Sequence, residues 1–245
     1  MANGQPDTTG EAVEVTLFVP CYNEERNVAG AVDKIVKMAQ GLKLSYEILV
    51  FDDASKDRTS EVVRQYQADH REVPLRLFRN AENRGVAWNF VEGAFRGRGK
   101  YYRLVCGDDI EPLETHIEIV SHRGEADIIV PYFTRIEGRP LLRHLLSRSY
   151  TRLVNTASGT PLRYYNGCPL YRREDVLRYH IEATGLGYQA EFLTRLLAEG
   201  RSYIEVALVA QDREGSGSLT LRNVLSVGHS LLNMALRRLR VALLK

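Results

Sequence analysis

The sequence predicts a single-domain α/β fold with a mostly parallel central sheet and helices on both faces. Short apolar runs alternate with segments of 3.6-residue apolar period, which reads as strand, helix, strand, helix. Turn-forming and acidic residues follow the apolar runs: Pro20 after the first, Asp52 and Asp53 after the second, Gly107, Asp108 and Asp109 after the fourth. Right-handed crossovers bring the ends of parallel strands to one sheet edge, so these residues are expected to converge there.

Residues 1–12 are polar and read as a disordered tail. Val15–Val19 is a buried strand ended by Pro20, and Asn23 is placed to cap a helix through Ala39 with Val28, Ala31, Val32, Ile35, Val36 and Ala39 on one face. Glu47–Phe51 is the second strand, and Asp57 or Thr59 starts a helix through Ala68. Leu75–Phe78 is the third strand, and Asn83-Arg84-Gly85 opens a helix carrying Ala87, Phe90, Val91, Ala94 and Phe95. Tyr101–Cys106 and Ile128–Val130 are further strands. Beyond residue 135 the pattern predicts a basic amphipathic helix over Leu141–Ala157 and a strand over Arg163–Tyr171. A helix over Glu191–Ala198, a strand over Ser202–Leu208 and a basic amphipathic helix over 221–245 complete it. The domain proper is therefore expected to span residues 13–220.

With 44% hydrophobic and 26% charged residues the chain has a globular composition. A net charge of +2 implies no bulk polyanion, so nucleic acid is not an expected partner. Three cysteines (Cys21, Cys106, Cys168) without a CxxC pair argue against a zinc site or disulfide framework and suit a reducing, cytoplasmic compartment. The polar N-terminus does not suit a signal peptide, and no apolar run is long enough for a membrane span. The six histidines show no ligand spacing, and Trp88 reads as helix packing.

The strand ends carry the chemistry. Carboxylates at a sheet edge repel each other and are costly to desolvate without a cation or hydrogen-bond donors. In Pro20-Cys21-Tyr22-Asn23-Glu24-Glu25, an aromatic can flank a base or ribose, while the glutamates equally suit a helix start. In Asp52-Asp53-Ala54-Ser55-Lys56-Asp57 the two adjacent aspartates point to opposite sides of an extended segment. One can accept from a base or ribose while the other holds the loop. Gly85 lets backbone approach a ligand at a helix start that favours anions. Gly107-Asp108-Asp109 offers carboxylates to Mg²⁺ or Mn²⁺, which leaves open positions for a diphosphate.

In order and spacing, VPCYNEE, DDASKD, NRG and GDD resemble the family 2 glycosyltransferases over residues 14–135, and less firmly to about 220. Within that family the chain is similar to the polyprenyl-phosphate (dolichyl-phosphate) sugar synthases. The resemblance implies a GT-A fold, a Rossmann-like sheet whose N-terminal half binds nucleotide. It implies that Pro20, Tyr22 and Glu24 line the nucleotide pocket, that Asp52 or Asp53 contacts base or ribose, and that Asp108 and Asp109 hold the diphosphate through a divalent cation. Relatives usually carry Asp-x-Asp here. Gly107 stands at the first position, which makes Asp109 the surer ligand.

The resemblance also implies that Glu191 is the catalytic base and that Arg213, in a glycine-rich loop, closes over the diphosphate. Leu219 stands where that loop has a lysine. An acceptor that is already an anionic phosphate needs little base help and makes arginines more important. The expected activity is inverting transfer from a nucleoside diphosphate sugar to a polyprenyl-phosphate or other envelope glycan acceptor. Peripheral contact with the cytoplasmic membrane face would come through the basic helices. A nucleotidyltransferase lacks its glycine- and arginine-rich first loop here, and a non-catalytic sugar-nucleotide-binding protein has no need of Asp108 and Asp109.

Overall fold

The computed structural model describes residues 12–179, 187–211 and 221–243. The expected tail and the loop with Arg213 lie outside the described residues. The first half runs β1 (Val15–Cys21), α1 (Val28–Gly41), β2 (Tyr46–Asp52), α2 (Thr59–Asp69), β3 (Leu75–Arg79), α3 (Val86–Arg96) and β4 (Tyr101–Leu104). It continues with α4 (Leu113–Ser121), β5 (Ile128–Glu137), α5 (Leu141–Ser158), β6 (Leu170–Arg172) and α6 (Arg173–Leu177). α7 (Tyr188–Ala198), β7 (Tyr203–Gln211) and α8 (Leu221–Leu243) follow.

Among the described residues the strands form one seven-stranded sheet in the order β3-β2-β1-β4-β6-β5-β7. β1 lies between β2 and β4 and is parallel to both, β2 is parallel to β3, and β5 is parallel to β7. The short β6 runs antiparallel to β4 and β5. The chain lays down β1, β2 and β3 in one direction, then crosses back to set β4 on the other side of β1. Strand order thus reverses between β1 and β4, and in open α/β sheets ligands bind at that point beyond the carboxyl ends of the strands.

Alternation along the strands builds two cores. Val15, Leu17, Val19, Ile48 and Val50 face one side, against α1, α2 and α4. Phe18, Leu49, Phe51, Tyr102 and Leu104 face the other, against α3, α6, α7 and residues of α5 and α8. Aromatic rings dominate the second core. Phe18 packs edge-on to Phe51 at 5.3 Å and stacks on Tyr102 at 5.9 Å, and Phe90 of α3 meets Tyr102 at 5.0 Å.

Three expectations need correction. Asn23 does not cap α1, which begins at Val28 behind Asn27. Asn23 instead adopts a left-handed φ of 60° and spends its side chain on the neighbouring loop. The strand expected over Arg163–Tyr171 shrinks to β6, because the rest is pegged as irregular chain: Tyr165 Oη donates to Asn155 (2.6 Å) and Arg163 N–H to Glu205 (2.8 Å). β5 runs on to Glu137, well past Val130, because β7 pairs with it as far as Gln211.

Candidate active site

A cleft of about 840 Å³ opens over the carboxyl ends of β1 and β4, at the reversal of strand order. One side is made of strand ends: Pro20, Cys21, Tyr22, Glu24, Asp53, Gly85 and Cys106-Gly107-Asp108. The facing side is α5, through Arg143, Leu146, Ser147, Tyr150 and Leu153, with Arg139 just before it. Tyr164, Asn166, Cys168, Tyr188 and Gln189 complete the wall.

The strand-end loops are stitched together by side chains. Asn23 N–H donates to Ser55 Oγ (2.9 Å), Glu24 N–H to Thr59 Oγ1 (2.9 Å) and Glu25 N–H to Asp57 Oδ2 (3.1 Å). In return Lys56 N–H donates to Asn23 Oδ1 (2.8 Å) and Arg58 N–H to Glu25 Oε2 (3.0 Å). Backbone donors that no helix or sheet satisfies thus find partners. VPCYNEE and DDASKD form one unit.

The two aspartates after β2 divide the work. Asp52 is buried and accepts from Ser55 N–H (2.8 Å) and the Ser60 hydroxyl, with the Arg79 guanidinium 3.7 Å away. It holds its own loop and does not line the cleft. Asp53 does line it. Its carboxylate accepts from Asn80 (2.7 Å), Arg84 N–H (2.9 Å) and Gly85 N–H (2.8 Å). These donors occupy most of the about four acceptor positions of the carboxylate. Burial by itself raises the Asp53 pKa, but the hydrogen bonds from Arg84 N–H, Asn80, Asn89 and Gly85 N–H outweigh it and hold it below the usual range. Gly85 can present its N–H this way because it sits at φ 81°, where other residues are strained.

After β4 the side chains fall differently from the expectation that favoured Asp109. Asp108 is on the cleft wall. Asp109 turns away to pair with Lys34 of α1 at 2.9 Å, and lies so close to Gly30 that a Cβ there would meet its Oδ2 at 2.5 Å. Gly107 has a steric reason as well. A Cβ on it would meet Cys21 Sγ at 2.6 Å and the Pro20 carbonyl oxygen at 2.9 Å.

The cleft suits a hard cation bound together with a ligand. Among the described residues no three His, Cys, Asp or Glu side chains gather as a ready-made metal cage. Asp108 provides a carboxylate on the wall, and Mg²⁺-type sites commonly combine one or two carboxylates with substrate phosphates. The thiols nearby are poor competitors. Cys106 is pushed well above its ordinary pKa by its hydrogen bond with Cys168 and by burial, and Cys21 is pushed up mainly by burial.

Glu191 is buried in the first turn of α7, with its Oε1 2.7 Å from Arg195 and 3.1 Å from Arg237 of α8. It is not on the cleft wall, whereas its neighbours Tyr188 and Gln189 are. The acidic residues that line the cleft, Glu24, Asp53 and Asp108, all belong to the strand-end side. The α5 wall, α4, Lys34 and Arg103 carry no motif that marks them in the sequence. The one visible signal was an arginine inside the apolar run Tyr101-Tyr102-Arg103-Leu104-Val105.

A sequence model described as glycosyl transferase family 2 matches residues 16–179, more than half of the chain and the whole of the strand-end side. The chain belongs to this family. Among curated relatives, it is 26% identical over 206 residues to the dolichyl-phosphate beta-glucosyltransferase of Dictyostelium discoideum, covering 76% of this chain and 63% of that one. It is 23% identical over 224 residues to the undecaprenyl-phosphate 4-deoxy-4-formamido-L-arabinose transferase of Pectobacterium atrosepticum, covering 89% of this chain and 66% of the other. The chain thus spans less than two thirds of the first relative's length. Its fold is shared with glucosyl-3-phosphoglycerate synthase from Mycobacterium tuberculosis, solved with Mn²⁺, UDP-glucose and phosphoglyceric acid: TM-score 0.70, 18% identity, 91% of this chain and 80% of that one. The same holds for a mannosyltransferase from Pyrobaculum calidifontis solved with GDP-mannose and Mn²⁺: TM-score 0.66, 17% identity, 91% and 65%.

Two outcomes follow from this geometry. Asp53→Asn leaves a backbone N–H of Arg84 or Gly85 without its acceptor, at a cost of about 1–3 kcal/mol in urea unfolding near neutral pH. Because the Asp53 pKa is depressed in the folded state, its contribution is present above the unfolded carboxylate value of about 3.9 and is lost as pH falls through the lower folded value. The difference between wild type and Asp53→Asn therefore narrows on acidification. Gly107→Asp, which restores Asp-x-Asp, lowers the melting temperature and abolishes activity, since the new Cβ displaces Cys21 or the Pro20 backbone.

Proposed function

We propose that the chain is an inverting glycosyltransferase that moves a sugar from a nucleoside diphosphate sugar onto a phosphate of a polyprenyl lipid. The observation that carries this reading is the division of the cleft by charge: carboxylates on the strand-end side, with Arg143 of α5 and Arg139 just before it opposite. Family membership supports the donor, and the names of the lipid-phosphate transferases among the relatives support the acceptor.

In this reading the nucleoside lies against Pro20 and Tyr22, with Asp53 accepting from ribose or base. The diphosphate reaches the start of α3 and Asp108. Asp108 would hold a divalent cation such as Mg²⁺ or Mn²⁺, which would supply positive charge against that developing on the leaving diphosphate. Arg139 and Arg143 draw the acceptor phosphate in from the α5 side and orient one of its oxygens. That oxygen forms the new bond to the anomeric carbon from the face opposite the departing diphosphate, whose bond to the same carbon breaks with its electron pair. An ionised phosphate has no proton to give up. The burial of Glu191 between two arginines is then no obstacle, and its role is to tie α7 to α8. Arg213 remains the candidate for closing over the diphosphate, and a divalent ion the candidate cofactor.

A lipid acceptor requires the cleft to meet a membrane. No helix among the described residues is long and apolar enough to cross one. α5 and α8 nevertheless leave Leu141, Leu142, Leu145, Leu232, Leu236 and Leu239 exposed, Leu141 by 87%. They pack on each other, with Arg238 donating to the Thr156 carbonyl (2.7 Å). Neither helix carries an aspartate or glutamate, while arginines recur in both. Exposed leucines on helices that carry arginines and no acidic residue suit the surface of an anionic bilayer. α5 would then touch lipid with one face and line the cleft with another.

The test is transfer from UDP- and GDP-sugars to undecaprenyl phosphate in detergent, with and without EDTA. The expected result is metal-dependent product in wild type and a loss of at least a hundredfold in Asp108→Asn. Arg143→Ala should raise the KM for undecaprenyl phosphate and leave that for donor unchanged. Donor binding without transfer to any lipid phosphate would sink the acceptor assignment. Separately, the protein should co-sediment with phosphatidylglycerol vesicles and not with phosphatidylcholine alone, and replacing Leu141, Leu142 and Leu145 with serine should abolish co-sedimentation without changing the melting temperature.

A further inference from the structure

We infer that Arg103 is a positioning residue that sets Asp108 for the cation through Glu111, an inference that rests on the metal reading of Asp108 above. Arg103 lies in β4, between β1 and β6, with no exposed surface. A guanidinium there is costly to desolvate and persists only when its donors are matched. Its partners come from three separate segments. Nε donates to the Cys168 carbonyl (3.2 Å), Nη1 to His116 Nδ1 of α4 (2.8 Å), and Nη2 to both Glu111 carboxylate oxygens (3.1 and 3.3 Å).

These contacts frame the loop that carries Asp108. Glu111 ends the turn Gly107-Asp108-Asp109-Ile110 and is anchored from below by Arg103. From the other side Lys34 of α1 donates to the Asp109 carbonyl (2.8 Å) and the Glu111 carbonyl (3.1 Å), besides its ion pair with the Asp109 carboxylate. The loop is thus held at Asp109 and Glu111, directly after Asp108, which lines the cleft. The bond to Cys168 extends the frame to the facing wall, so one guanidinium sets the spacing between Asp108 and the Asn166–Cys168 segment.

His116 completes the frame as a neutral ring. Burial first, and the adjacent Arg103 charge second, hold its pKa well below the ordinary value, so Nδ1 is an acceptor for Arg103. Glu111 supplies the negative partner. Burial pushes its pKa up against the pull of Arg103, which makes its ionised form dependent on that guanidinium. Lysine cannot replace Arg103, since one ammonium lacks the planar fork that reaches three segments at fixed angles.

The experiment follows Mn²⁺ binding by electron paramagnetic resonance in the full chain, with UDP or GDP present, whichever binds wild type in EDTA. Melting temperature and nucleotide binding in EDTA are measured alongside. Arg103→Met alone leaves the half-buried Glu111 without its counter-charge and is prone to misfold, so the main variant is Arg103→Met with Glu111→Leu, which removes both charges. Glu111→Gln, which keeps the shape, serves if the double variant does not fold. We expect Mn²⁺ binding weakened by about tenfold or more, as for other groups that orient a metal ligand, with nucleotide binding in EDTA unchanged. Asp108→Asn should abolish Mn²⁺ binding. If Asp108→Asn loses Mn²⁺ while the Arg103 and Glu111 variants bind it as tightly as wild type, the positioning role is wrong. Were Asp108→Asn to bind Mn²⁺ normally, the metal reading itself would fail and take this inference with it.

Discussion

Backbone in the strand-end loops has neither a helix nor a sheet to satisfy it, and side-chain oxygens must do so instead. Everything around the cleft depends on this. Ser55, Asp57 and Thr59 accept from three successive N–H groups at the end of β1, and Asn23 and Glu25 accept from the loop after β2. Asp53 does the same for the turn that opens α3. Each bond is modest by itself, but an unpaired buried donor is expensive, so the set holds the loops in one arrangement. Loops held in this way lower the ordering cost of binding.

The same economy explains how acidic residues can be dense here without mutual repulsion dominating. Of the four aspartates that open the two clusters, Asp52 is hydrogen-bonded by hydroxyl and amide donors with Arg79 near, and Asp109 is paired with Lys34. Asp53 is stabilised as an anion by donors while facing the cleft. Asp108 is the member brought to the wall beside the backbone of Gly107. Adjacent residues in the chain thus serve opposite purposes, one building the wall and one facing the ligand. Gly107 belongs to the same logic, since close approach to Cys21 and Pro20 leaves no room for a side chain.

Much of this was legible in the residues alone. Apolar runs of the right length, alternating with helical periods, specified β1 through β4 and their helices, because both periods follow from backbone geometry. The carboxyl-end location of Pro20, Tyr22, Glu24, Asp53, Gly85 and Asp108 followed from crossover handedness. Less legible were α4, the length of β5 and the antiparallel β6. Their extents depend on which strand pairs with which, and pairing is a long-range choice that local pattern does not encode. Asn23 shows the same limit: its type suited a helix cap, and a loop about thirty residues away claimed its side chain instead.

By itself the sequence determined the fold class, the sheet edge where the chemistry gathers and the family, since these rest on periodicity, chain direction and the order of short motifs. Only the tertiary structure decided which carboxylate of each pair faces the cleft, that Glu191 is held between Arg195 and Arg237, and that α5 forms the opposite wall. It also decided that Arg103 is a buried frame for the Asp108 loop. The reason is physical. A charged side chain goes where a counter-charge or donor offsets its desolvation, and those partners, Lys34 for Asp109 and Glu111 for Arg103, are brought near by packing rather than by position along the chain.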